Sequence, residues 1–478
     1  MTTNTAPVRP VLQFHNSLSR SKEAFRAIDG QPVGLYTCGP TVYNFAHIGN
    51  FRAYMFEDIL RRTLRYAGYQ VQQVMNLTDV DDKTIRGSLQ AGVPLKTFTQ
   101  PFIEAFFADL RTLGIEPAEH YPAATEHVPE MIALIQRLFD KGLAYASEDG
   151  SVYFKVSAFP AYGKLAHLDM SGLRAGARVA QDEYEKESVG DFALWKAWDA
   201  NDGDVVWDSP WGRGRPGWHI ECSAMAMKYL GETFDIHTGG IDNLFPHHEN
   251  ELAQTEGATG NPFVRVWMHC AHLRVNGEKM SKSLGNFFTL RDLLGKKYAG
   301  RELRYVLING HYRQALNFTF DAVEAARASL ARLDEFADRL AETAAGAQAG
   351  SGLPAWAGTC QQQFDAALFD DLNVPEALAA LFALVREGNS AMQNGALAPA
   401  AAASLQALLT DWDRVLGILA MGRTKDTVLP EEVARALASR QTARQNRNWP
   451  ESDRLRDELA RLGWEVRDGK DGQKVKKL

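Results

Sequence analysis

The stretch from Val33 to Thr78 constrains the fold of this chain more than any other. Two apolar runs, VGLYTC (Val33 to Cys38) and YQVQQVMNLT (Tyr69 to Thr78), read as strands, and the segment between them, from about Asn50 to Ala67, carries apolar residues at helical spacing. A strand, a helix and a second strand in that order form a right-handed crossover, which places the two strands parallel in one sheet. Strand and helix alternation returns after Gly217: a helix from Trp218 to Tyr229, a strand from Thr233 to Thr238, a helix beginning at Pro246 and a strand from Val264 to Met268. The recurrence predicts an α/β, doubly wound parallel-sheet (Rossmann-like) domain made of two halves.

The remaining chain attaches to that frame. With 478 residues it exceeds what one hydrophobic core serves, so several domains are expected. Residues 1–90 are assigned to the first half of the catalytic domain, 91–216 to a connective insertion and 217–316 to the second half. The insertion ends in a Gly-, Trp- and charge-rich segment, from about Ser151 to Pro216, with a hairpin-like GSVYFKV. Beyond Asn317 the apolar residues recur by three and four (Val323, Ala326, Leu330, Leu333; Leu405, Leu408, Trp412, Val415), which predicts a helical bundle over 317–422. A linker, MGRTKDTVLP, then leads into a small domain at 423–478, where arginines recur through a helical stretch from Arg435 to Arg461.

Composition excludes several classes. No apolar run approaches the roughly 18 to 20 residues of a membrane-spanning helix, and the N-terminal residues lack a signal-peptide pattern, so a cytoplasmic location is expected. Four dispersed cysteines, at 38, 222, 270 and 360, make no disulfide framework. A net charge of −7 argues against indiscriminate nucleic-acid binding and leaves room for a local basic face at the C-terminus.

Two constellations carry chemistry. In PHHENE (Pro246 to Glu251), His247 stands four residues and His248 three residues before Glu251, so either imidazole lies on one helix face with the carboxylate. Such a pair alone is more often a hydrogen bond at a helix start than a metal site. Cys38 at the end of the first strand and Cys222 in the helix opening the second half change that, because strand ends from both halves meet at the switch point of a doubly wound sheet. Two thiols, an imidazole and a carboxylate favour zinc; Cys270 and Cys360 read as small buried residues. The second constellation joins His47, Ile48, Gly49 and Asn50, at a turn ahead of a helix, to KMSKS (Lys279 to Ser283). Gly49 permits close backbone approach and His47 and Asn50 offer donors to phosphate, while Lys279 and Lys282 suit charge developing on a leaving pyrophosphate.

These motifs, with CGPTVYNFAHIGNFR, NLTDVDDK, SPWGRGRPGWHIECSAM, FPHHENE and DDLNVPEAL, resemble the cysteinyl-tRNA synthetase family, class I aminoacyl-tRNA synthetases, over nearly the whole chain. The resemblance implies activation of L-cysteine by ATP with Mg²⁺, transfer to tRNA(Cys), no DNA or membrane partner, and a monomer. It selects His247 over His248 and assigns one Zn²⁺ to Cys38, Cys222, His247 and Glu251, as a filter for the substrate thiol. It also assigns Pro40, Thr41, His47, Gly49, Asn50 and Lys282 to ATP, Thr78 and Asp242 to the amino group of the substrate, and Trp218 and His237 to its pocket. Asn50 stands where the family most often has a second histidine, and Asn44 where many members have aspartate. The basic terminal domain is then expected to grip the anticodon, with Trp449 and Trp464 as stacking candidates. Two other readings share some of these motifs: a cysteine ligase that passes the adenylate to a small amine, as in mycothiol biosynthesis, and a silent paralogue that binds only zinc or RNA.

Overall fold

The structure, a computed structural model, describes residues 11–168, 178–179, 190–281, 284–350, 352–421, 430–469 and 472–477. Its chain divides into two compact units, Met1–Met421 and Gly422–Leu478. At the centre of the first lies a four-stranded parallel sheet of β1 (Val33–Thr37), β2 (Val71–Met75), β3 (Phe234–Gly240) and β4 (Val264–Cys270), in the order 4-3-1-2. The chain winds outward from β1 in one direction and from β3 in the other, so the switch point falls between these two central strands.

Both faces of the sheet are covered, which is why β1 is buried at every residue. Val33 and Leu35 pack into a core shared with α1 (Ile48–Tyr66), while Tyr36 points into a second core with Phe234 and Trp267. Helix α1 begins at His47, which accepts from the Asn50 amide while Asn50 reciprocates, and its first turn carries no acidic side chain. The positive end of its dipole is therefore left for an external anion.

The connection from β2 holds α2 (Asp82–Ala91), α3 (Leu95–Thr112) and α4 (Val128–Asp140). A small mixed sheet follows, in which Val152–Phe154 pairs with Ala144–Ala146 and with Asp191–Ala197, the last also pairing with Gly214–Pro216. Helix α5 (Trp218–Leu230) then leads back to β3. One expectation is refined at Pro246. Phe245 is extended (φ −139°, ψ 133°), the Phe245–Pro246 peptide is cis, and a wide turn over Leu244–His248 precedes α6 (Glu249–Thr259).

After β4 come α7 (Leu290–Gly295) and α8 (Gly300–Ile308), then the bundle α9 (Phe320–Ala344), α10 (Ala355–Phe369), α11 (Val374–Gln393) and α12 (Pro399–Leu416). The predicted stripe residues Val323, Leu330, Leu405 and Trp412 are buried, as are Cys270 and Cys360. The linker at 422–429 lies outside the described residues.

The second unit corrects the reading of its arginines. The expected helical stretch is two helices, α13 (Glu431–Gln445) and α14 (Trp449–Arg461), broken where Arg447 adopts φ 55°. Arg440 is fully buried against Asp468 (2.9 Å) and Gln473 (2.7 Å), so it belongs to the core of the unit. Trp464 is buried with Val433, Leu437, Leu455 and Leu459, which removes it as a stacking candidate, whereas Trp449 is exposed beneath the Arg444 guanidinium. Among the described residues no helix is long and apolar enough to cross a membrane.

Candidate functional site

The loops leaving β1 and β3 build the site. Cys38 follows β1, and Gly39 brings the chain so close to β2 that a Cβ there would lie 1.8 Å from the Asn76 carbonyl oxygen. Pro40 and Val42 then run beside Thr78, exchanging backbone hydrogen bonds of 3.1 Å with it.

Cys38, Cys222, His247 and Glu251 offer ligand atoms that all lie within 4.8 Å of one another. A second set, Cys38, His237, His248 and Glu251, meets the same limit, so both histidines of PHHENE reach the cluster. The sets differ in how their atoms are used. His237 Nε2 lies 2.8 Å from Glu251 Oε2, and His248 Nδ1 lies 2.8 Å from His269 Nε2, whose ring in turn meets Ser17 Oγ at 2.7 Å. His247 Nδ1 lies 2.8 Å from His219 Nδ1, and its ring stacks on Trp218 at 4.2 Å, which fixes the plane of the imidazole. His247 Nε2 comes within 2.9 Å of Glu251 Oε1, yet that buried oxygen accepts no hydrogen bond of normal geometry. Two donor atoms take up that relation when both are directed at a third centre.

Electrostatics agree with a cation at that centre. The Cys222 thiol is lowered to about 6, because a hydrogen bond from Cys38 outweighs burial. Burial raises Glu251, but His237 and His247 more than offset it and hold the carboxyl at about 2. Burial also opposes charge on His247, yet Glu251 and Cys222 raise it to about 10. A thiolate and a carboxylate are thus stabilised in a buried pocket, next to a positive charge that a metal ion would replace. The donor set of two sulfurs, one nitrogen and one oxygen fits zinc.

The second constellation lies at the start of α1. Asn50 N–H donates to His47 Nδ1 at 3.1 Å, and His47 N–H donates to Asn50 Oδ1 at 3.1 Å. Nδ1 is therefore an acceptor, and the neutral ring carries its proton on Nε2, the atom suited to a phosphate oxygen. A Cβ on Gly49 would sit 2.9 Å from the His47 ring and 3.1 Å from Met280 Cε, so the two motifs are in contact there. Ile48 N–H also donates to the Phe288 carbonyl at 3.0 Å. Asn286, which the sequence reading passed over, closes the loop: its amide receives from Ser281 N–H (2.8 Å) and donates to the Lys279 carbonyl (3.2 Å). Lys279 is exposed, while Lys282 and Ser283 lie outside the described residues.

The proposed pocket residues are distributed between both groups. Thr78 is buried, with its hydroxyl accepting from Asn76 at 3.1 Å, and Asp242 is exposed in the turn after β3. His237 stacks on Trp267 (4.7 Å), and its Nε2 is committed to Glu251 Oε2 at 2.8 Å. Glu57, buried on α1 and receiving the Thr238 hydroxyl at 3.1 Å, is a neighbour that no spacing rule singles out.

Comparison with known proteins places this geometry. Residues 24–328 match the class I (C) tRNA synthetase catalytic domain, 363–420 the DALR domain, and 426–475 the cysteinyl-tRNA ligase anticodon-binding domain. The structure superposes on Mycobacterium tuberculosis methionyl-tRNA synthetase in complex with methionyl-adenylate with a TM-score of 0.60, at 18% identity, covering 82% of this chain and 90% of that one. The fold is that of a class I tRNA synthetase catalytic domain with helical C-terminal parts. A cysteine--tRNA ligase of Protochlamydia amoebophila (strain UWE25) is 50% identical over 469 residues, 98% of each chain, and one of Chlamydia muridarum is 49% identical over 98% of this chain and 100% of its own. The chain belongs to the cysteine--tRNA ligase family, as its motifs lead one to expect.

Proposed function

We infer that this chain joins L-cysteine to tRNA(Cys) at the expense of ATP. The observation that carries the reading is the cluster of two thiols, an imidazole and a carboxylate, whose Cys38 stands nine residues before His47, the cap of α1, in the loop leaving β1. Residues 426–475, which match a tRNA anticodon-binding domain, favour tRNA over a small amine as the acceptor. The division into 1–90, 91–216, 217–316, 317–422 and 423–478 follows the same logic: two sheet halves that hold the small substrates, and appended parts that hold tRNA. We take the active species to be the monomer.

In the first step a carboxylate oxygen of cysteine attacks the α-phosphorus of ATP and pyrophosphate leaves; in the second a terminal ribose hydroxyl attacks the acyl carbon, an ester forms and AMP leaves. The positive end of α1, its backbone N–H groups and His47 Nε2–H bind the phosphates, with Pro40, Thr41 and Gly49 shaping the approach. Asn50 acts by fixing His47. Lys279 and Lys282 offset charge on the pyrophosphate, which travels as its Mg²⁺ complex. Thr78 and Asp242 hold the amino group, Trp218 lines the pocket, and His237 orients Glu251. Cys38, Cys222, His247 and Glu251 would hold zinc, and a zinc ion there would supply a Lewis-acid centre that favours the substrate thiol over serine's hydroxyl. No side-chain nucleophile is required, so positioning supplies most of the rate.

Cysteine-dependent exchange of pyrophosphate into ATP, measured with zinc content and with serine as competitor, tests the reading. One zinc per chain and exchange with cysteine alone are expected; exchange with serine at a comparable rate, or none with cysteine, would overturn it.

A further inference from the structure

One buried acid on α1 takes no part in the chemistry described above. Glu57 stands in the third turn of the helix, fully shielded from solvent, and among the described residues no cation pairs with it. Its neighbour Asp58 differs, meeting Arg304 at 2.6 Å and Arg62 at 2.8 Å. The one polar partner of Glu57 is the Thr238 hydroxyl, which donates to Oε1 at 3.1 Å, while Oε2 makes no hydrogen bond. Burial pushes the carboxyl well above the ordinary range against the pull of that hydrogen bond, so the side chain is a neutral acid at neutral pH. A leucine in this place would bury apolar surface and leave no polar atom unsatisfied, so the acid lowers stability. What a leucine lacks is a directed bond to Thr238.

Thr238 lies on β3 opposite Thr37 of β1, and it reaches the thiol cluster by two routes. Its carbonyl accepts the Cys38 N–H at 3.3 Å, and its hydroxyl also lies 3.5 Å from the Tyr36 carbonyl, two residues before Cys38. The preceding residue, His237, points to the opposite face of the sheet, as alternation along a strand requires, and its Nε2 meets Glu251 Oε2 at 2.8 Å. One stretch of β3 thus steadies two of the four clustered side chains, Cys38 and Glu251, and Glu57 ties that stretch to α1. The same helix begins ten residues earlier, at the His47 cap, about 15 Å away along its axis.

Resting on the function proposed above, we propose that Glu57 is a positioning residue for thiol selection: through Thr238 it fixes β3, and with it Cys38 and Glu251, at one spacing from the phosphate-binding start of α1. It acts through the strand and not on substrate. Its effect is on where the cysteine side chain is held relative to the ATP that its carboxylate attacks, so losing it weakens the hold on cysteine and leaves the hold on ATP unchanged.

The test uses the full-length protein, with KM for cysteine and KM for ATP measured separately by pyrophosphate exchange, alongside the rate at which a chelator removes zinc. Glu57→Leu, which keeps the bulk and removes the hydrogen bond, should raise KM for cysteine about tenfold, leave KM for ATP within about twofold of wild type and speed zinc release about tenfold, the order expected when a group behind a metal ligand is lost. Glu57→Gln, which still offers an oxygen to the Thr238 hydroxyl, should restore wild-type values. Thr238→Val removes the same bond from the other side and should match Glu57→Leu, with the double variant no worse than either single one; if Glu57→Leu fails to fold, Thr238→Val carries the comparison alone. Urea denaturation should place Glu57→Leu at or above wild type, which separates a loss specific to cysteine from general unfolding. Wild-type KM for cysteine and wild-type zinc release in these variants, or equal rises in both KM values, would overturn the role. Absence of cysteine-dependent exchange in wild type would instead overturn the underlying function, and zinc release would still decide the role of Glu57.

Discussion

At the scale of the residue, Asn50 gains a physical role. The sequence marks it only as a departure from the usual second histidine; the structure makes it the reciprocal partner of His47 at the start of α1. Asn50→Ala removes the acceptor of the His47 backbone N–H, so stability should fall by about 1 kcal/mol, the usual cost of a lost cap, with a larger relative loss in pyrophosphate exchange because the backbone that carries the His47 ring is no longer held, although the Asn50 N–H still donates to Nδ1. Paired urea denaturation and exchange assays check this, and an exchange rate equal to wild type would remove Asn50 from the phosphate site. Cys222→Ser should lose bound zinc and cysteine activation together, measured by metal analysis and exchange; retained activation in the zinc-free variant would sever thiol selection from the metal. These ligands were legible as residue types because thiols are scarce in the chain. The ring partners were not: that His248 meets His269, and His247 meets His219, depends on packing between elements that sequence separation does not encode.

At the scale of the element, the crossovers were legible because periodicity is a local property, and β1 to β4 fall within a few residues of the runs that predict them. Of the insertion's sheet only the hairpin-like GSVYFKV was legible, as Val152–Phe154; its partner over Ala144–Ala146 has three residues, too few to show alternation. How elements lock together is a matter of buried charge. Asp82, at the start of α2, meets Lys196 at 3.1 Å and also Arg215, so it ties the helix to the insertion. Burial raises its carboxyl, but Lys196 and then Arg215 outweigh that and hold it at about 2, below the ordinary value of 3.8. A depressed folded pKa means stability that is present above about pH 4 and is lost as pH falls toward 2. The contribution is about 2 kcal/mol at neutral pH. Acid titration of unfolding should show wild type and Asp82→Asn differing by that order at pH 6 and converging near pH 2; a constant difference would assign the effect to packing instead. Within the first unit, Arg304 is fully buried and joins α8 to α1 through Asp58 (2.6 Å) and to the end of α12 through the Leu416 carbonyl (2.7 Å). Asp58→Ala leaves that guanidinium without its counter-charge and should cost about 3–5 kcal/mol in chemical denaturation, far more than loss of an exposed pair.

At the scale of the whole molecule, the two units divide the labour between chemistry and recognition. The first holds the sheet, the thiols and both phosphate motifs, while the second has a separate core around Leu437, Leu459 and Trp464 and a surface bearing Trp449 and Arg444. Its surface arginines are not a bare cationic face: Arg454 pairs with Glu451 and Glu458, and Arg435 with Glu431. Exposed pairs of this kind contribute little to stability, so breaking them to meet another anion costs little. Because none of the residues assigned to the adenylate lies beyond Met421, removal of residues 422–478 should leave cysteine-dependent pyrophosphate exchange within about twofold of the full chain. It should also weaken tRNA binding by two or more orders of magnitude, and salt should weaken the full-length complex more steeply than the truncated one. The salt dependence carries the argument, since lost base stacking alone lowers affinity without flattening the slope. Equal slopes with and without the second unit would mean that its arginines serve their own carboxylates and that the tRNA is held elsewhere.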